Sequence, residues 1–285
     1  MTTASFAEIN GYRLRYRLEG EGPLAVFGHG LLGSMEQVDD NMSRLDELHR
    51  RLRLLVYDAR GHGQSSGPEG AEHYTWESLG RDMVGLCDHA GESTAFFGGA
   101  SMGAASALWV ALERPERVRA LVLVMPPPLG PESIRAESER SALRFFDMLS
   151  AAVANFGVEK TVEIALQIPG FAASPEEAEE RAAWLRRQNP LALVYGVIGL
   201  MRSPIHDPGE YARITVPTLV LAHEGDALHP ARAARLVGEK VPHARVVIAP
   251  NPNHWWKHPD EFMAEVTTFV DGVEGARNGA SPQAT

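Results

Sequence analysis

Gly99-Ala100-Ser101-Met102-Gly103 sets one serine among small residues, between an apolar run and a helix-forming one. Upstream, Thr94-Ala95-Phe96-Phe97 is short and strand-like, and downstream Ala104 to Leu112 is rich in helix formers. A serine on a sharp strand-to-helix turn needs neighbours without bulk, because the backbone there is strained and crowded. Such a turn holds the hydroxyl clear of the backbone, at a helix N-terminus whose free N–H groups can bind an anion. The pattern also suits a Gly-rich turn that merely caps a helix, so the segments around it decide its meaning.

Working outward, Leu24-Ala25-Val26-Phe27 and Leu52 to Tyr57 are dense in apolar residues and read as buried strands. Val118 to Val124, Thr218 to Ala222 and Arg245 to Ala249 repeat that composition. Tyr12 to Leu18 alternates apolar and basic residues, which predicts a half-exposed strand at a sheet edge. Helical spacing runs through Trp76 to His89, Met102 to Glu113, Ala231 to Val241 and Pro259 to Val270. Strands alternating with helices predict an α/β fold: a mainly parallel, doubly wound sheet with its reactive groups on loops at the strands' carboxyl ends.

The alternation stops at Val124, where Pro126-Pro127-Pro128 ends the strand. Residues 132 to 203 read as helices only, over 132–154, 158–167, 175–188 and 191–201. These divisions give a first core segment at 1–127, a helical cap at 128–207, a second core segment at 208–275 and a disordered tail at 276–285. Phe145, Phe146, Met148, Leu149, Phe156, Phe171, Trp184, Tyr195 and Met201 give the cap bulky apolar surface, partly for its own core and partly to line a cavity beneath it.

A chain of 285 residues, 44% hydrophobic and 22% charged, has the composition of an ordinary globular protein. Its formal net charge of -10 argues against a nucleic-acid partner. The single Cys87 excludes an intrachain disulfide and carries no metal-ligand spacing. No basic n-region with an apolar h-region opens the chain, and no run reaches membrane-spanning length. The expectation is a cytoplasmic monomer or homodimer without a membrane association.

If Ser101 is a nucleophile, its base and carboxylate must come from later strand ends. Val220 to Asp226 ends one strand with a carboxylate-bearing turn, and Val247 to His254 ends the next with a histidine. The order Ser, Asp, His is the one expected for this architecture. Glu224 is the rival acid, but Asp226 follows the Gly225 turn directly and is preferred. His223 and His229 flank that turn and read as structural or supporting residues. His254 and His258 share i, i+4 spacing but lack a third ligand, so no metal is expected.

In its motifs the chain resembles the α/β-hydrolase fold family, in its serine-nucleophile form with a helical cap. The likeness is sharpest at Gly28-His29-Gly30-Leu31-Leu32-Gly33, at Asp58 to Ser65, at Gly99 to Gly103, and at Asp226 with His254. It implies Ser101 as nucleophile, His254 as base and Asp226 as its orienting partner. The backbone N–H groups of Leu31 and Met102 would bind the developing oxyanion. His29, Phe145, Trp184 and Trp255 are expected to meet the substrate. Some relatives place the acid after the sixth strand, but here that spot reads Met125-Pro126-Pro127.

A serine with a histidine base suits acyl transfer, without a metal or organic cofactor. The expected reaction is hydrolysis of a carboxylic ester, with thioester or lactone as close variants, on a small to medium hydrophobic substrate. Carbon–carbon hydrolysis of a diketone and a non-hydrolytic ligand-binding role are the alternatives.

Overall fold

The computed structural model describes residues 3–41, 45–168, 172–203 and 206–279. Its frame is an eight-stranded sheet made by β1 (Ser5–Ile9), β2 (Tyr12–Glu19), β3 (Leu24–Gly28), β4 (Arg53–Tyr57), β5 (Ala95–Ala100), β6 (Val118–Val124), β7 (Thr218–His223) and β8 (Ala244–Ala249). The strand order is β1-β2-β4-β3-β5-β6-β7-β8. β1 and β2 are antiparallel to their neighbours, and every pairing from β4 to β8 is parallel. The Tyr12 strand therefore lies second, not at the edge. Only Ala7 and Ile9 of β1 are buried, too weak an alternation to announce the strand that covers it.

Helices α1 (Met35–Asn41), α2 (Leu45–His49), α3 (Trp76–His89), α4 (Met102–Glu113), α8 (Ala231–Lys240), α9 (His254–Lys257) and α10 (Pro259–Gly279) flank the sheet. Alternate strand residues face opposite layers. Val26, Leu121, Val220 and Ala222 pack with α3, α4 and α8, whereas Phe27, Val122, Leu219 and Leu221 pack with Met35, Leu48 and the Phe262–Val266–Val270 face of α10. Burial on both faces is what parallel strands of this apolar density require. Helix α10 runs through residues 276–279, which the sequence assigned to a tail; the remainder of that tail lies outside the described residues.

Between β6 and β7 come α5 (Glu137–Ala165), α6 (Pro175–Arg186), a wide π-type turn over Ala192–Gly196 and α7 (Val197–Arg202). The two helices expected over 132–167 are one element, broken in its dihedrals at Gly157 (φ 76°, ψ 169°). Val153, Val162, Ala182, Leu185, Leu193 and Val197 form a core of their own, closed by Leu32 from the loop after β3. The inserted helices thus pack on the loop beside the strand ends. One bidentate ion pair pins them to the sheet layer: Arg232 of α8 donates from Nε and Nη2 to Glu139 of α5, at 3.1 and 2.7 Å. Phe171 lies outside the described residues. Among the described residues no helix is long and apolar enough to cross a membrane.

Candidate active site

Ser101 stands between β5 and α4 at φ 51°, ψ -106°, a left-handed conformation that a residue with a side chain adopts only under local constraint. Close backbone packing supplies the constraint. A Cβ at Gly103 would lie 2.3 Å from Gly28 O, and one at Gly99 would lie 2.4 Å from the same oxygen. Glycine alone lets β3, β5 and α4 meet this tightly. Ser101 N donates to Val124 O at 2.9 Å, and Gly103 N donates to His29 O at 3.1 Å. The serine turn is thereby stitched to β6 on one side and to the Gly30-Leu31 loop on the other.

The imidazole beside that serine belongs to His229. Its Nε2 lies 3.0 Å from Ser101 Oγ and its Nδ1 lies 2.8 Å from Asp226 Oδ2. Asp226 and His229 share one turn, in which the N–H groups of Leu228 and His229 donate to Asp226 Oδ1 at 2.7 and 3.2 Å. Burial works to raise the Asp226 pKa. The imidazole and the two N–H donors outweigh it and hold the carboxyl well below the usual carboxylate range. An ionised carboxylate can only accept, so Nδ1 carries the imidazole proton and Nε2 offers its lone pair to the serine hydroxyl. Glu224, the rival acid, pairs with Arg235 instead.

The structure does not bring His254, the histidine expected as base, to Ser101. His254 opens α9, and its Nε2 lies 2.9 Å from Glu261 Oε2 on α10. Its ring packs against Trp255 and against His258, with centroids 5.1 and 4.6 Å away. His229, read from the sequence as a supporting residue, occupies the place. Its one sequence signal was the three-residue step from Asp226, short enough for a turn to fold the ring back onto the carboxylate.

A cavity of about 280 Å³ opens over Ser101 and His229. Gly30, Leu31, Met102, Trp76, Met125, Leu143, Phe146, Trp184 and Met201 line it, with Gln37 and Arg135 as polar members. Leu31 and Met102, the residues expected to supply the oxyanion N–H groups, line the same cavity as the serine. Trp184 reaches the wall, but Phe145 does not: it is 56% exposed, and its neighbour Phe146 turns inward. Trp255 lies instead in a smaller adjoining hollow of about 50 Å³, which shares Gly30, Gln37, Ala100 and Met125 with the cavity. Its indole Nε1 donates to Ala222 O at 3.1 Å.

His29 is wholly buried and touches the smaller hollow, not the cavity over the serine. Its Nε2 accepts from Ala59 N at 3.0 Å, so Nδ1 carries the proton and donates to Gly30 O at 2.7 Å. Its work is to hold the loop, not to meet substrate. Burial pushes its pKa down to about 4. His62, 5.2 Å away between ring centroids, falls to about 3 through burial and then through its neighbour.

Both histidines stay neutral in the fold while an unfolded histidine titrates near ~6.5. Stability they contribute is therefore full above that value and is lost as pH falls toward the folded values. We expect the urea midpoint to drop between pH 7 and pH 5, above the carboxylate range. His62→Gln should flatten that slope; an unchanged slope would exclude His62 as its source.

Comparison with known proteins agrees with this fold. The family profile described as alpha/beta hydrolase fold matches residues 23–258. A 2-(acetamidomethylene)succinate hydrolase of Mesorhizobium japonicum is 26% identical in an alignment of length 273 that covers 93% of this chain and 94% of that enzyme. The 3-oxoadipate enol-lactonase 2 of Acinetobacter baylyi is 23% identical over 231 residues, 81% of each chain. A crystal structure of a hydrolase from Pseudomonas aeruginosa PA01 superposes with a TM-score of 0.74 at 29% identity, covering 94% of this chain and 98% of that one. With the profile spanning most of its length and relatives that are hydrolases, the chain belongs to the α/β-hydrolase fold family of hydrolytic enzymes.

Proposed function

We propose that this enzyme hydrolyses a carboxylic ester, or the related thioester or lactone, through an acyl-enzyme on Ser101. The observation that carries the reading is one imidazole bridging a strained serine and an ionised carboxylate, at 3.0 and 2.8 Å. In this reading Ser101 Oγ attacks the carbonyl carbon while His229 Nε2 takes the hydroxyl proton. Asp226 holds the tautomer and stabilises the imidazolium. The N–H groups of Leu31 and Met102 receive the oxyanion, each worth roughly 3 kcal/mol in the transition state. His229 then gives its proton to the departing alcohol. A water attacks the acyl carbon, returns a proton to Nε2 and then to Ser101, and frees the acid.

The inserted helices over 128–207 act as a cap whose Phe146, Trp184 and Met201 give the substrate a largely apolar chamber. The lactonase among the relatives is in keeping with acyl transfer. The test is a serine-directed phosphonate followed by mass spectrometry, beside para-nitrophenyl esters of graded chain length. One label per chain on Ser101, none on Ser101→Ala, and turnover that rises with apolar chain length until the cavity is full are expected. Label elsewhere, or turnover that ignores loss of the serine, would sink the reading.

A further inference from the structure

Apart from Ser101, His229 and Gln37, the polar side chain on the otherwise apolar cavity wall is that of Arg135, two residues before α5. Arg135 Nη2 donates to Gly130 O at 3.1 Å, but its Nε is buried and has no hydrogen-bond partner among the described residues. Trp76, which lines this cavity and a smaller one, has an indole Nε1 that is also buried without a hydrogen-bond partner among the described residues. Glu139, a buried carboxylate whose charge acts on Arg135, is already engaged, since it takes two bonds from Arg232. Burial lowers the Arg135 pKa even though Glu132 and Glu139 lie close enough to oppose it. A guanidinium nonetheless stays protonated in proteins.

A cation with an unused donor is costly to keep in an apolar chamber unless a ligand completes it. The complement is an acceptor-only anion of planar shape, which describes a carboxylate. A cavity of about 280 Å³ lies at the small end of ligand sites, so such a group and the bond to be cut would sit in one compact molecule. Resting on the ester-hydrolase reading, we propose that the substrate carries a free carboxylate besides the scissile ester, and that Arg135 receives it. Arg135 is then a specificity-determining residue: it chooses among esters and takes no part in the proton transfers at Ser101.

Two substrate pairs test this, one for each side of the ester. The first is the mono-para-nitrophenyl ester of adipic acid against its methyl-capped diester. The second is 4-butanoyloxybenzoate against its methyl ester. In at least one pair the free carboxylate should raise kcat/KM by about ten- to a hundredfold. Arg135→Met should bring that ratio to about one, and Arg135→Lys should keep part of it. Calorimetry with Ser101→Ala protein and the ethyl hemi-ester of adipic acid reads the same preference without turnover.

Equal treatment of charged and capped members in both pairs, or a preference that survives Arg135→Met, overturns the carboxylate site and leaves the hydrolase standing. Charge-selective binding by Ser101→Ala protein, lost in the Ser101→Ala, Arg135→Met double variant, with no ester cleaved by the wild type, does the reverse.

Discussion

His229→Ala is expected to lower kcat/KM for a para-nitrophenyl ester by about 10⁴-fold or more, while His254→Ala changes it by less than about threefold. Without an acceptor at 3.0 Å the Ser101 hydroxyl keeps its proton and is a poor nucleophile. What remains is the oxyanion site and substrate binding, which alone leave only a small part of the acceleration. Asp226→Asn should cost nearly as much by reversing the tautomer, since an amide can donate to Nδ1. His254 holds a part-exposed contact with Glu261, and such pairs are worth about 0–1 kcal/mol of stability. Steady-state kinetics on the two alanine variants decide the matter. Loss of turnover in His254→Ala with retention in His229→Ala would assign the base to the loop after β8.

The second large effect concerns stability. Asp82→Ala is expected to destabilise the fold by about 3–5 kcal/mol, read as a fall in the urea midpoint. Arg60 and Asp82 form a buried bidentate pair, with Nε–Oδ2 and Nη2–Oδ1 both at 2.6 Å. The guanidinium also donates to His73 O and Ser78 O, and lies 4.5 Å over the Tyr12 ring. Asn10 Nδ2 donates to the same carboxylate at 2.9 Å. Removing Asp82 leaves a charge buried at the junction of β2, the turn after β4 and α3. A loss below about 1 kcal/mol would mean that water reaches the guanidinium and that the pair is not shielded as its burial suggests.

The sheet, its flanking helices and the serine turn were legible because each is written in local terms. Trp76–His89 and Met102–Glu113 have the expected bounds to the residue, and Gly99 and Gly103 sit where a Cβ would strike Gly28. The histidine that stands beside Ser101 was not legible, because the Ser, Asp, His order is satisfied by His229 and by His254 alike. What separates them is which carboxylate each ring meets: His229 folds back within its own turn onto Asp226, and His254 is drawn to Glu261.

Phe145 failed for a related reason. Consecutive helix residues point about 100° apart, so of two adjacent aromatics only one can face inward. Leu143, Phe146 and Val153 follow the inward spacing, which leaves Phe145, Met148 and Phe156 outside. Arg135 had no sequence signal, since a lone arginine ahead of a helix looks like any solvated one.

Asp226 and His229 lie three positions apart, and a single reverse bend fixes how they face each other. That couple is local: every bond that fixes it lies within the turn from Asp226 to His229. What long-range folding must deliver is one docking event, the approach of this bend to the serine. Lengthening or trimming the stretch from 250 to 258 should accordingly leave the carboxylate–imidazole unit whole. A change that shifts α8, from which Arg232 grips Glu139, would carry the whole unit away from its target together.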